Sequence, residues 1–408
     1  MSEFPTRIRT LDLIRGVAVL GILAVNVTSF AAPDSAVFSP DMPRPGGIAD
    51  HAAYLVTFIL FEGKMRALFS VLFGASLLLF VERADAAGRD GARLQARRLA
   101  WLLLLGYLHF ALVWDGDILF LYAGIGFIAL ALRNWRPTQL VVAAALTLAL
   151  WQVWGAAMWL PSLTQEAAVT SGIAAPAVQT RHKLALAEYR RDDARDVAEA
   201  RLSWPAQVKA RFTDRGDAPV NLIAFNWGET LPWMLLGMAL LRSGFFAGEW
   251  PRRRMVWLAG AGLGLGGAAT LGFALWAAQN HYPEVGMHFA LGYGLALPHL
   301  AMALGYAALL VLAAPRLLRW VPGQQLEAAG RMAFSNYLGT SLVMAALCYG
   351  WGLGLFGQFG AAQRWTLVLL VWALILAWSQ PWLTRYRQGP LEWLWRSLTE
   401  WRVLGWRR

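Results

Sequence analysis

Ten apolar stretches recur along this chain, at 11–32, 51–81, 98–114, 117–133, 138–160, 220–242, 255–278, 289–313, 331–350 and 364–384. A helix needs about 20 predominantly apolar residues to cross the hydrocarbon core of a bilayer. Lipid offers no partner to backbone N–H and C=O groups, so such runs are forced to be helical. The expected fold class is all-α, a polytopic transmembrane helical bundle of about ten spans. Composition agrees, because only 15% of the 408 residues are charged, against about 25% in soluble domains. Many of the 22 tryptophans sit near the ends of the stretches, where amphipathic rings favour the membrane–water interface. The second stretch is long: either one tilted helix, or a short re-entrant piece before Glu62-Gly63-Lys64 followed by a span.

The formal charge of +11 would suit a nucleic-acid binder if the basic residues were clustered. They fall instead in short connections between stretches. With the N-terminus inside, twenty-one arginines, from Arg7 to Arg408, lie in inside segments, and the short outside loops hold only Arg44 and Arg364. This asymmetry predicts both termini in the cytoplasm, the bilayer as partner and no nucleic acid. The opening MSEFPTRIRT leads into an apolar run that contains Asp12 and Arg15 and shows no convincing signal-peptidase site, so a retained first span is expected. Cys348 is the single cysteine, which excludes an intramolecular disulfide, and no Cys/His cluster has zinc spacing, so no metal is expected.

Four regions follow: an N-terminal membrane bundle at 1–160, a long periplasmic segment at 161–219, a C-terminal membrane bundle at 220–384 and a basic amphipathic cytoplasmic tail at 385–408. The 161–219 segment carries nine basic and eight acidic residues. It reads either as a solvated or interfacial helical hairpin or as a lid or acceptor-docking element over the outer vestibule. The tail after Pro390 is rich in Trp and Arg and is expected on the inner membrane surface.

Ionisable groups at membrane depth are functional suspects, and here they form two layers. In the inner layer, Asp12 and Arg15 share a helix face, and Asn26 returns to nearly the same face eleven residues beyond Arg15. Arg331, Ser335 and Asn336 open the ninth stretch at a similar depth. The pair Asp12–Arg15 either locks two helices together or forms part of an anion site, for which Arg15 and Arg331 supply the fork that suits phosphate or carboxylate. In the outer layer, Glu62, Lys64 and Arg66 lie in FEGKMRALFS, Asp115 and Asp117 in WDGDILFLYAG, and Glu229 early in the sixth stretch. His109 lies about 17–18 Å above Arg97 and Arg98 by helical rise. A histidine there serves either as a packed, hydrogen-bonded residue or as a general base or proton shuttle.

The blocks RTLDLIRGVAVLGILAVN, FEGKMRALFSVLFGASLLLF, RRLAWLLLLGYLHFALVWDGDILFLYAGIGF, GRMAFSNYLGTS and GPLEWLWRSLT resemble the YeiB-like bacterial membrane proteins, a family of unknown function. That family is distantly similar to transmembrane acyltransferases such as heparan-α-glucosaminide N-acetyltransferase. The resemblance implies a bacterial inner-membrane enzyme. It would move an acyl group, acetyl above all, from cytoplasmic acyl-CoA to a hydroxyl or amine of a carbohydrate-like acceptor on the far side. The histidine closing the third-span block corresponds to His109. The acyltransferase-3 branch carries a histidine where this chain has Asn26, which sets its chemistry apart.

On that basis His109 is the expected base, with Asp115, Asp117 or Glu62 orienting the imidazole. Asp12, Arg15, Asn26, Arg331, Ser335 and Asn336 form the expected donor set, and Lys64, Arg66 and Glu229 the acceptor set. Lys64, Arg66 or Asn26 would stabilise the oxyanion. Direct transfer and an acyl-histidine intermediate both stay open, as does a homodimer. The alternative is a transporter or exporter of a small organic solute or lipid-linked sugar, since intramembrane Glu, Lys, Arg and His also mark substrate paths.

Overall fold

A computed structural model describes residues 7–407; residues 1–6 and Arg408, one of the arginines counted above, lie outside the described residues. The chain forms α1 (Arg9–Ala31), α2 (Ser35–Phe38), α3 (Ile48–Leu60), α4 (Lys64–Ala86), α5 (Gly91–Leu112), α6 (Leu119–Ala131) and α7 (Pro137–Thr170). Next come α8 (Pro176–Ala200), α9 (Trp204–Asp214), α10 (Ala218–Arg242), α11 (Arg252–Gln279) and α12 (Glu284–Phe289), with a π-helical turn at Ala290–Gly294. The remainder is α13 (Ala296–Leu317), α14 (Val321–Arg331), α15 (Ala333–Cys348), α16 (Ala361–Arg385) and α17 (Pro390–Glu400).

The protein is an all-α membrane bundle. Among the described residues, six segments are long and apolar enough to cross a bilayer: α1, the α3–α4 unit, α7, α11, α13 and α16, while α6 and α15 are shorter apolar helices. The apolar surface faces outward as well as inward. Leu150 and Val153 of α7 and Leu265 of α11 are each about 70% exposed, a surface that suits lipid and not water. The interior is built on α1, α4, α10 and α13, where Leu13, Ile14, Leu68, Leu72 and Trp233 are fully buried.

Polar contacts sort the helix ends onto two faces. On the face where α1 begins, Arg9 pairs with Glu327, Arg89 with Glu400 and Arg242 with Glu82. This is the near face. On the far face, Arg215 pairs with Asp115, Arg44 bonds to the Gln358 carbonyl, and Glu166 accepts from the backbone of Val285 and Gly286.

The second apolar stretch breaks. A 13-residue α3 and a 23-residue α4 are joined at Glu62-Gly63, where Gly63 adopts φ 70°. The N–H groups of Phe61 and Glu62 both turn to the Thr57 carbonyl, which ends α3. Of the two forms open to the sequence, a short piece followed by a long helix is the one found. Other boundaries move as well: α5 begins at Gly91, seven residues before the predicted start at 98. Helix α7 has 34 residues, so it runs ten residues past the predicted end at 160, and the ninth stretch is interrupted at Met332, between α14 and α15.

The 161–219 segment packs onto the bundle. Beyond the end of α7 it forms α8 and α9, which lie against the far ends of α1 and α5 and against the 349–356 loop. Trp204 donates to the Leu112 carbonyl at 2.8 Å, and Gly350 N–H to the Ala200 carbonyl at 2.7 Å. The tail helix α17 docks on the near face, where Trp395 donates to the Arg98 carbonyl at 2.9 Å.

Candidate functional site: a buried histidine between two cavities

His109 lies in the last turn of α5 and is buried, 3% exposed. Its Nδ1 is 2.8 Å from Oδ1 of Asp117, which is equally buried. The chain leaves α5 at Val113, turns through Trp114–Ile118 and re-enters as α6. Asp117 closes that turn, and its Oδ2 accepts the Phe120 N–H at 2.9 Å, one of the donors that a helix start leaves unpaired. Gly106 permits the approach. A Cβ there would stand 2.5 Å from the Phe120 nitrogen and 2.9 Å from Oδ2 of Asp117.

A carboxylate can only accept, so the hydrogen of a neutral His109 sits on Nδ1 and the lone pair on Nε2. Nε2 has no hydrogen-bond partner and is closed off from solvent. Most buried polar atoms are paired, so an orphan acceptor of this kind calls for a functional account.

Two cavities come near His109, one on the side of the near face and one on the side of the far face. The near cavity, about 220 Å³, is lined by Arg15, Arg98 and Arg331 at its polar end and by Phe69, Leu72 and Phe73 deeper in. It reaches Tyr337, whose ring centre is 5.6 Å from that of His109. The far cavity, about 200 Å³, reaches Trp114, which stands edge-on to His109 at 6.3 Å and stacks on Phe30 at 3.8 Å. His109 lines neither cavity itself. Tyr337 and Trp114 stand between it and the two spaces.

The near cavity is electropositive by construction. Arg15 Nη1 bonds to Oδ1 of Asp12 at 2.8 Å and Nη2 to Ser76 at 2.8 Å, while Asp12 also takes Arg7. Asp12 thus holds Arg15 in place and does not line the cavity. Arg98 is stacked between Phe80 and Trp395, 4.1 and 4.2 Å from the ring centres, a geometry suited to guanidinium.

Several expected site residues do other work. Ser335 bonds to Glu392 of α17, and Glu392 also accepts the N–H groups of Phe334 and Ser335 at 2.8 and 3.1 Å, so it caps α15 from the tail. Burial raises the Glu392 carboxyl above the ordinary range, and these hydrogen bonds oppose the rise. Asn336 is consumed in packing, donating to Ala329 O and Ser379 and accepting from Trp378. Asn26 lines neither cavity; eleven residues of helix carry it about 16 Å beyond Arg15. Asp115 does not orient His109. It turns outward to Arg215, whose Nη1 is 2.8 Å away, and of the three carboxylates expected to orient the ring only Asp117 does so.

Glu62, Lys64, Arg66 and Glu229 gather around the α3–α4 break as a second buried cluster, apart from His109. The Lys64 amine is fully buried and donates to Phe58 O at 2.7 Å. Arg66 pairs with Glu229 at 2.8 Å and reaches Asn226 at 3.3 Å, and Glu62 accepts the Gly63 N–H. His299 packs over Gly63 with neither ring nitrogen bonded. Neither Lys64 nor Arg66 lines a cavity beside His109, so neither is placed to meet an oxyanion there.

Residues absent from the sequence-based set include Tyr337, next to Asn336, and Arg98, visible only as a topology marker. The far wall contributed by α8, α9 and the residue that follows α9 was also missing: Asp196, Glu199, Gln207, Arg211 and Arg215. Burial holds the Glu199 carboxyl above the ordinary range, with Arg215 opposing.

A family model described as "Protein of unknown function (DUF418)" matches residues 240–402. The uncharacterized protein YxaH of Bacillus subtilis (strain 168) is 32% identical over 403 residues, 96% of this chain and 94% of its own. The uncharacterized protein YeiB of Escherichia coli (strain K12) is 32% identical over 399 residues, 96% and 95% of the two chains. An uncharacterized 39.9 kDa protein in the amylase 3′ region of Bacillus acidopullulyticus is 26% identical over 406 residues, 96% and 94%.

Proposed function

The chain belongs to the family of membrane proteins that includes YxaH and YeiB, and on that premise we propose that it is an acyltransferase working across the inner membrane. The observation that carries the proposal is the unpartnered, buried Nε2 of His109, held through Nδ1 by Asp117 and flanked by a cavity on each face. In this reading the near face is cytoplasmic, both termini lie there, and the far face is periplasmic.

Acyl-CoA is the donor substrate, acetyl-CoA first among candidates. The near cavity fits it in chemistry: three arginines at the polar end suit its phosphates, and the apolar wall of Phe69, Leu72 and Phe73 suits the pantetheine arm and acyl group. A space of about 220 Å³ is small for the whole molecule, since pockets that bury drug-sized ligands run to roughly 300–1,000 Å³. The nucleotide therefore stays at the arginine-lined mouth. The acceptor, a carbohydrate-like hydroxyl or amine, enters the far cavity. His109 Nε2 takes its proton as the acceptor attacks the thioester carbon, and Asp117 stabilises the imidazolium. The carbon–sulfur bond then breaks and the thiolate leaves with the proton from Nε2. The Tyr337 hydroxyl, which accepts from the Ile118 N–H at 3.4 Å, has its own hydrogen free to meet the oxyanion. Trp114 and Tyr337 must swing aside for both substrates to reach the ring.

The test is release of CoA thiol from acetyl-CoA by purified protein in the presence of a panel of amino sugars and sugar acids. Release in the wild type that is lost in His109→Gln supports the proposal, and equal release in both contradicts it.

One observation favours the transporter reading: a helix broken at membrane depth with ionisable residues at the break, Glu62, Lys64 and Arg66 beside Glu229. Discontinuous helices of this kind form substrate sites in transporters. Uptake of a labelled sugar into proteoliposomes, abolished by Glu229→Gln and unaffected by His109→Gln, would favour it.

A further inference from the structure

The far cavity contains a buried cation with open hydrogen-bond donors. Arg211 of α9 is 3% exposed, and its Nε and Nη1 have no hydrogen-bond partner. Its Nη2 lies 3.5 Å from Oε1 of Gln207, and the guanidinium stands over the Tyr349 ring at 5.6 Å. Gln207 is itself locked, its amide donating to the carbonyls of Glu199, Ala200 and Leu202, which aims its oxygen at Arg211. The neighbouring Arg215, by contrast, is paired on two sides, with Asp115 and Glu199. The carboxylates nearest to hand are thus engaged by the wrong arginine.

A buried guanidinium with open donors is costly unless an anion completes it, and its planar fork matches carboxylate or phosphate. Around it, Asp34 and Asp196 line the same cavity, with the Asp34 N–H 3.3 Å from Oδ2 of Asp196. Carboxylates accept from hydroxyl or ammonium groups and repel further negative charge. Taking the far cavity as the acceptor side, an assignment that rests on the function proposed above, we infer that the acceptor is a small polyhydroxylated molecule bearing one anionic group. That group is seated on Arg211, and its hydroxyls lie along Asp34 and Asp196. Four carboxylates against two arginines in this cavity disfavour a polyanion. The donor and acceptor are sorted by charge, the polyanionic donor to the near face and a singly anionic acceptor to the far face.

Isothermal titration of the full chain in detergent tests this with two matched pairs, glucose against glucuronate and glycerol against glycerol 3-phosphate. At least one anionic member is expected to bind more tightly than its neutral partner. Arg211→Gln should weaken that binding by about 30-fold or more, the loss typical of removing one side of a buried charge pair, and leave acetyl-CoA binding at the wild-type value. Should Arg211→Gln not fold, Arg211→Lys keeps the positive charge but loses the planar fork and should weaken that binding by about tenfold or more. Equal binding of neutral and anionic partners, no binding of either anion, or anion binding in the folded Arg211 variants indistinguishable from wild type would each overturn the inference. If glucuronate binding depends on Arg211 while acetyl-CoA fails to bind, the acyltransferase reading falls and the anion site stands.

Discussion

Asp117 holds His109 across the turn between α5 and α6, one carboxylate oxygen 2.8 Å from Nδ1 and the other on the Phe120 N–H that begins α6. The contact ties the end of one helix to the start of the next and sets which imidazole nitrogen is free. Asp117→Asn keeps an oxygen for Phe120 and loses the charge that stabilises the imidazolium. The variant should fold and bind acetyl-CoA as the wild type does, with transfer slowed about 10²–10⁴-fold. Single-turnover transfer within tenfold of wild type would show that Asp117 is a helix cap only.

Donor binding should depend on the near-face arginines. Arg15→Glu and Arg331→Glu each replace a cavity-lining cation by an anion. Each should lower acetyl-CoA affinity by at least about tenfold, the scale of one lost charged hydrogen bond. The comparison with dephospho-CoA separates phosphate recognition from general charge. Unchanged affinity in both folded variants would move the donor elsewhere.

The tail helix is pinned by one carboxylate. Glu392→Ala removes the acceptor for two α15 N–H groups and the Ser335 hydroxyl. Loss of such a cap typically costs about 1 kcal/mol, and here α17 should also loosen. Trypsin should then cleave after Arg396 or Arg402 faster than in wild type, with a lower melting temperature. Unchanged protection would mean that Trp395 and its neighbours hold the tail without Glu392.

Sidedness is tested by a reporter fused after residue 408 and by protease added to spheroplasts. The arginine asymmetry predicts a cytoplasmic reporter and cleavage within 161–219 from outside. An exported reporter would invert the scheme and exchange the roles of the two cavities.

The helices were legible in the sequence because lipid leaves a long apolar run few alternatives, and the place of His109 near the end of α5 away from Arg97 and Arg98 followed from helical rise. The choice between Asp115 and Asp117 was not legible. The two are separated by Gly116 in a non-helical turn, and only the chain path sends Asp117 inward and Asp115 out to Arg215. Asn336 and Ser335 looked like ligands because they are polar at membrane depth; their partners, Trp378 and Glu392, lie 42 and 57 residues away. Arg211 was hidden for the opposite reason. It sits in a segment of mixed charge that reads either as a solvated or interfacial hairpin or as a lid or acceptor-docking element, with nothing to single out one arginine, and its burial comes from α8 and α9 docking on the bundle.

The central claim is that one histidine serves a donor on the near face and an acceptor on the far face. Its most direct test is transfer of labelled acetyl groups in proteoliposomes of uniform orientation, with acetyl-CoA confined to the near face. Glucosamine, glucuronate and glycerol 3-phosphate are supplied on the far face as trial acceptors. The account predicts label in an acceptor across the membrane in the wild type and a rate about 10²–10⁴-fold lower in His109→Gln. Equal rates in His109→Gln, or label transferred only when donor and acceptor share a face, would contradict it.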